Sequence, residues 1–313
     1  MIVTFGEALV DMIEQEDGRF AAILGGSVCN FTLAVARQGM AVTYLNPFSI
    51  DTFGDRFTHH LRGAGVSLAS PTRSLQPTSI AVVTLNEQKL PTYAFHRAAV
   101  ADRDITAEQA CAALPSAMTL LHTGGLTLVP DEIEKTLQIV RAAGKAGAII
   151  SIDANMRPMV CPDLTAYAAG VRKMLALADM VKVSDEDLRH LGLQHAEPID
   201  AARTLFLDSN IKLIALTLGE HGGILLSRTE HVAQGIPAGV SVVDTVGAGD
   251  SFWAGLAASL QGAGHLSVAG LSTLNQTALE NALRFAIATA SLNVMRAGCN
   301  PPDSAEVAAF LAR

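Results

Sequence analysis

The chain has 313 residues, half of them hydrophobic, and 22 Lys and Arg against 30 Asp and Glu give it a net charge of −8. That balance excludes a nucleic-acid partner, which needs a basic face, and no apolar run reaches the roughly 18 residues of a membrane-spanning helix. Four cysteines, Cys29, Cys111, Cys161 and Cys299, stand far apart. That is the usage of reduced thiols rather than of a disulfide framework, and with no signal-peptide pattern ahead of Ile2 a cytoplasmic location is expected.

In chain order, residues 2–5 read as a buried strand, 27–38 as a helix stopped by Gly39, 42–45 as a strand and 52–62 as a helix stopped by Gly63. Strand 120–123, helix 131–143, strand 148–152, helix 164–178 and strand 180–183 follow. Ser184 then reads as the cap of a short helix reaching Leu191. Helix 199–207 and strand 213–217 come next, and the last third is helical at 251–260, 278–295 and 305–311. This alternation predicts an α/β fold, a mainly parallel sheet covered by helices on both faces. Ligands of such sheets sit beyond the carboxyl ends of the strands.

Two segments break the rhythm. Residues 78–85 and 91–97 are β-rich runs separated by the polar Asn86, Glu87, Gln88 and Lys89, the pattern of a hairpin. Residues 12–20 are also β-like, interrupted by Asp17 and Gly18. Together they predict a small second sheet, set as a lid by excursions at about 11–22 and 75–102 from a single domain spanning 1–313. An exposed hairpin edge invites pairing with a second copy, so a monomer or homodimer is expected.

The most informative stretch runs Asp244, Thr245, Val246, Gly247, Ala248, Gly249, Asp250, Ser251, Phe252. Glycines allow the backbone to turn several N–H groups toward one point at the positive end of a helix, where an anion belongs. Asp250 cannot ligate an anion favourably, so it reads as a base beside a phosphoryl group. The chain lacks G-x-x-x-x-G-K-[ST], which excludes a P-loop enzyme. A dinucleotide fingerprint fails because Phe252 occupies the third glycine position and the stretch lies late in the chain. A dehydrogenase, which would bind NAD, is a weaker alternative. No HExxH, GxSxG or Cys/His metal pattern is present, and His59 and His60 read as a solvated helix face. At the other end of the chain, Asp11 closes an apolar run that continues strand 2–5, where a carboxylate can accept two sugar hydroxyls. Gly25 and Gly26 open the next helix and let a ligand approach the backbone, and Asn30 in its first turn can both donate and accept.

Together these residues resemble the ribokinase-like, or PfkB, family of carbohydrate kinases over nearly the whole chain. The carboxy-terminal signature D-T-x-G-A-G-D-x-F is intact at 244–252, and the amino-terminal G-G-x-x-x-N is present at 25–30. The details look most like fructokinases: G-E-x-L-x-D at 6–11, an F-x-R…A-D stretch at Phe95, Arg97, Ala101 and Asp102, D-x-N-x-R at 153–157, and A-D-x-x-K-V-S-D-E at 178–186. There are departures. Ser184, Asp185, Glu186 and Asp187 stand where many members carry N-x-x-E, His96 replaces a common tyrosine, and Thr123, Gly124 and Gly125 lack the glutamate of ribokinases, which counts against ribose.

The resemblance implies a ribokinase-like fold and ATP-dependent phosphorylation of the 6-hydroxyl of D-fructose. Asp250 would be the general base, with an anion hole at Gly247, Ala248, Gly249 and Asp250. Asp11, Gly25, Gly26 and Asn30 would hold the sugar, with Arg97 reaching down from the lid. ATP would meet Asn155, Arg157, Lys182, Ser184, Thr217, Gly219 and Gly222, with Asn281 and Phe285 at the adenine. Mg2+ would be oriented near Asp187, and a monovalent cation, often K+ in this family, would sit by Asp244 and Thr245. Alternatives that keep the mechanism are a 2-keto-3-deoxygluconate or aminoimidazole riboside kinase. An alternative of another class is a non-catalytic sugar-sensing protein on the kinase fold, which would bind sugar without turning over ATP.

Overall fold

Strand residues alternate between two hydrophobic cores. Ile2, Leu120, Ile149, Met180 and Leu213 point into one, and their successors Val3, Leu121, Ile150, Val181 and Ile214 into the other. A strand buried on both faces belongs to a helix-covered parallel sheet. The computed structural model, which describes all residues except 16, 86–90 and 194, shows that sheet. Its strands in chain order are β1 (Ile2–Thr4), β2 (Leu9–Glu14), β3 (Phe20–Gly25), β4 (Val42–Tyr44), β5 (Ser67–Leu68), β6 (Ser79–Leu85), β7 (Pro91–His96), β8 (Leu120–Gly124), β9 (Ile149–Asp153), β10 (Met180–Ser184), β11 (Leu213–Thr217), β12 (Gly223–Ser227) and β13 (Val232–Gly235).

Among the described residues the main sheet runs β13-β12-β11-β10-β9-β8-β1-β4-β5. It is parallel from β11 to β5, and β12 and β13 add an antiparallel edge. Helices Ser27–Arg37, Ala248–Gly262 and Gln276–Val294 cover one face, and Pro130–Lys145 and Leu164–Leu175 the other. No described helix is long and apolar enough to cross a membrane.

The two excursions form a second sheet in the order β3-β2-β6-β7. β2 is antiparallel to β3 and parallel to β6, and β6 is antiparallel to β7. The polar loop at Asn86, Glu87, Gln88 and Lys89 lies outside the described residues. Asp11 is not at the carboxyl end of the first main-sheet strand as expected. That strand ends at Thr4, Gly6 and Glu7 carry the chain out of the sheet, and Asp11 sits inside β2, opposite Ile23.

Two other expectations need correction. β12 and β13 are not evident as strands in the sequence reading, because their short, Gly-bounded runs carry no strong alternation. The helix expected at 251–260 starts at Ala248. Gly247, at φ 73°, is its N-cap, so Ala248, Gly249 and Asp250 form its first turn rather than a preceding loop.

Candidate active site

Most helices in this chain begin with a side chain that caps their own first turn: Asp51, Thr106, Asp163, Ser184, Ser267, Asn275 and Asp303 each accept a backbone N–H. Two others start with Pro130 and Pro198, which remove a donor. The helices Ser27–Arg37 and Ala248–Gly262 begin instead on glycine N-caps, Gly26 (φ 100°) and Gly247 (φ 73°), with no side-chain cap. Their first turns meet at Asp250. A helix start without a cap leaves N–H groups for another partner.

Asp250 is 8% exposed, and both of its oxygens are held from the other helix. Ser27 Oγ donates to Oδ1 at 2.9 Å, and Asn30 Nδ2 donates to Oδ2 at 2.9 Å. Burial raises its pKa, opposed first by the Lys182 ammonium and then by these two hydrogen bonds and Arg157. A carboxylate with raised proton affinity and free lone pairs is equipped to take a hydroxyl proton. Beside it, Ala248 N–H goes to Thr245 O and Ser251 N–H to Gly247 O, while the amides of Gly249 and Asp250 have no acceptor among the described residues. The turn is held from behind: Asn293, fully buried, donates to Val246 O at 2.8 Å and accepts from Asn300 N at 3.0 Å. Asp244 accepts from Val246 N and Gly298 N. A Cβ on Gly247 would lie 2.5 Å from Cys299 Sγ, so the approach requires glycine.

Lys182, from β10, lies under this turn, with its Nζ 3.2 Å from where a Gly249 Cβ would stand. Both oxygens of Asp153, at the end of β9, receive its ammonium at 3.0 and 2.8 Å, and both side chains are buried. Burial pushes Asp153 up to about 6 despite Lys182. The ammonium therefore is neutralised by Asp153 while it still stabilises the charge on Asp250. Ser184 and Asp187 form a reciprocal capping box. Asp187 accepts from Met156 N, Ser184 N and Ser184 Oγ at 2.7–2.8 Å and is 3% exposed. Its carboxylate thus also ties the turn after β9 to the start of the helix Asp185–His190. Among the described residues no cluster of three or more His, Cys, Asp or Glu could hold a metal alone.

On the side of the second sheet, the Asp11 carboxylate stands over Gly25, where a Cβ would be 2.3 Å from Oδ2. Burial pushes Asp11 up to about 6, opposed by Arg157. The charge of Arg157 thus acts on Asp11 and Asp250 alike. Its guanidinium donates to Asn155 O and Met156 O, and Asn155 takes a positive φ of 32° at the turn after β9. Arg97 is anchored to Asp102 Oδ2 at 2.7 Å and to Ser79 Oγ at 3.2 Å, and its Nη1 has no partner among the described residues. Asp102 is buried, and its own backbone carbonyl receives Asn46 Nδ2 at 2.8 Å.

Thr217 ends β11 and Gly219 and Gly222 follow it at the carboxyl edge of the sheet, where Gly222 (φ 87°) packs against the Gly235 carbonyl. A mostly apolar cavity of about 350 Å³ lies along helix Gln276–Val294, lined by Gln234, Gly235, Leu283, Arg284, Ile287 and Phe310 among others. Asn281 and Phe285 are not among its lining residues, and Asn281 lines a different cavity with Ser259 and His265. The residues missed in sequence are Ser27, Asp153, Asn293 and Glu7. Ser27 and Glu7 lie inside the quoted motifs, but a side chain's target 223 residues away leaves no local trace.

Whole-chain comparisons identify the family. Residues 1–306 match the model of the pfkB family of carbohydrate kinases. The chain belongs to that family, and the enzyme is a carbohydrate kinase with the ribokinase-like fold. A fructokinase of Rhizobium leguminosarum bv. trifolii is 33% identical over 289 residues, 90% of this chain and 86% of its own. Fructokinase-1 of Zea mays is 29% identical, covering 98% and 96%. A crystal structure of a fructokinase with bound ATP from Xylella fastidiosa superposes with a TM-score of 0.88 at 28% identity, covering 99% and 98%. An aminoimidazole riboside kinase from Salmonella enterica, at 21% identity and a TM-score of 0.82, shares the fold. A dehydrogenase and a non-catalytic sensor are thereby set aside.

Proposed function

We propose that the protein is a fructokinase, transferring the γ-phosphate of ATP to the 6-hydroxyl of D-fructose. The observation that carries the reaction is Asp250 held on both oxygens beside two open amides, those of Gly249 and Asp250. Fructose itself is supported by the fructokinase relatives. The sugar lies between Asp11, the backbone of Gly25 and Gly26, Asn30, and Arg97 and Arg157 from the lid side. Its 6-hydroxyl gives a proton to Asp250 as the oxygen bonds to the γ-phosphorus and ADP leaves. Gly247, Ala248, Gly249 and Asp250 present their helix start to the transferring phosphoryl group. Phosphoryl transfer asks mainly for positioning and charge stabilisation, so one base and one anion site suffice.

The triphosphate extends from that turn past Thr217, Gly219 and Gly222, with Lys182 fixed beneath and Ser184 and Asn155 at the rim. The adenine enters the cavity beside Leu283 and Ile287. Mg2+ fits as an ion carried by the phosphates and water rather than by a protein cage, and it would neutralise phosphate charge. K+ fits beside the turn at Asp244 and Thr245 through backbone carbonyls. The Asp244 side chain is taken by two amides, so it would frame such a site and not ligate it. The β3-β2-β6-β7 sheet acts as a lid. A panel of sugars including fructose, 2-keto-3-deoxygluconate and aminoimidazole riboside, assayed by ADP release, tests the reading. The highest kcat/KM is expected for fructose, and preference for another acceptor would refute it.

A further inference from the structure

We propose that Glu7 is a positioning residue for the phosphoryl-transfer base, acting through the first turn of helix Ser27–Arg37. The proposal rests on the reading of Asp250 as that base. The connection is short: Glu7 Oε1 accepts the Ser27 backbone N–H at 3.0 Å, and Ser27 Oγ donates to Asp250 Oδ1 at 2.9 Å. A serine at a helix start ordinarily turns its hydroxyl onto its own backbone. Here Gly26 is the N-cap and offers no side chain. Glu7, in the segment between β1 and β2, accepts the Ser27 amide and so fixes the residue whose hydroxyl holds Asp250.

The backbone makes room for this. A Cβ on Gly26 would lie 2.6 Å from Glu7 O, and one on Gly125 would lie 2.8 Å from Glu7 Oε1. Glu7 is 3% exposed, and its second oxygen is buried with no hydrogen-bond partner among the described residues. The charged groups facing it are Arg97 and Asp102 at the lid base and Asp250 across the helix start. Tyr44, Cys29 and Tyr167 nearby are neutral, each with its pKa raised, chiefly by burial. Burial pushes Glu7 up to about 7 against the pull of Arg97. Glu7 therefore changes charge near neutral pH. Its ionised form accepts the Ser27 N–H more strongly and, as a nearby negative charge, raises the proton affinity of Asp250. Turnover through this group rises with pH.

Glu7→Gln and Glu7→Ala test this. Glutamine keeps an oxygen acceptor and cannot ionise. Glu7→Ala is expected to lower kcat about tenfold, the loss of one hydrogen bond to a functional group, with KM for ATP unchanged. Glu7→Gln keeps most of the plateau kcat but loses the limb of the kcat–pH profile centred near 7. A carboxyl ¹³C titration of Asp250 in the free protein gives a readout that needs no turnover, and its midpoint moves down in Glu7→Gln. If both variants lose only melting temperature, with the pH profile and the Asp250 titration as in wild type, Glu7 is packing and the proposal is overturned. Failure of the wild type to phosphorylate any sugar would refute the kinase assignment alone, and the Asp250 titration would still decide the role of Glu7.

Discussion

The helix starts at residues 26–30 and 247–250 look alike and are used differently. Both open on glycine at positive φ, and both lack a side-chain cap. At the first, Glu7 takes the Ser27 amide, and the amides of Val28 and Cys29 have no acceptor among the described residues. At the second, the Thr245 carbonyl takes the Ala248 amide, and those of Gly249 and Asp250 have none. The same backbone device thus opens twice toward one place. What separates the two is the acceptor of the first amide, a buried carboxylate at one start and a backbone carbonyl at the other.

The largest expected effect comes from removing the group at which the two starts meet. Asp250→Ala should lower kcat by about 10² to 10⁴, the contribution of a positioned base, with sugar binding measured by calorimetry largely kept. Near-normal turnover would sink the assignment. The contrast itself is sharpened by an alanine at each N-cap. Gly247→Ala places a methyl against Cys299 and should cost about 10- to 100-fold in kcat, while Gly26→Ala, which places a methyl against the Glu7 carbonyl at the sugar side, should raise the KM for sugar and cost about 1–3 kcal/mol in urea unfolding. Equal effects of both on turnover would erase the distinction.

A smaller effect is expected from pH. Asp11 is pushed up to about 6 by burial, and its ionised form accepts sugar hydroxyls. Sugar affinity should be flat above about pH 6 and fall up to about tenfold per unit below it, and Asp11→Asn should abolish that dependence. The sign for stability is opposite. The folded protein holds this proton more tightly than the unfolded chain, so the stabilisation present at low pH is lost as pH rises through the folded value. The smallest signal is hydrogen exchange in β6 and β7, expected to slow when sugar binds. Unchanged exchange there would argue against a moving lid.

The alternating sheet was legible because burial on both faces dictates apolar runs, and the second sheet because its hairpin pattern broke that rhythm. Asp250, Gly247 and Asn30 were legible because glycine and carboxylate at fixed spacing have few other uses. The bonds of Asp187 were not legible, because an acidic residue three after a serine reads equally as a metal ligand or a capping box and the Met156 amide reaches it only in the fold. Lys182 and Asp153 were near one another only in the folded sheet, as neighbours across β10 and β9.

Asn30 and Asp250, hydrogen-bonded in the finished protein, are separated by 220 residues. Eight of the eleven residues of helix Ser27–Arg37 are buried, against partners that include Trp253, Leu256 and Leu260. During synthesis at about 5–20 residues per second that apolar face waits roughly 10–40 seconds for its cover. The newborn chain is therefore most vulnerable to chaperone capture or aggregation through its first helix, and truncation anywhere before the last third leaves that surface exposed.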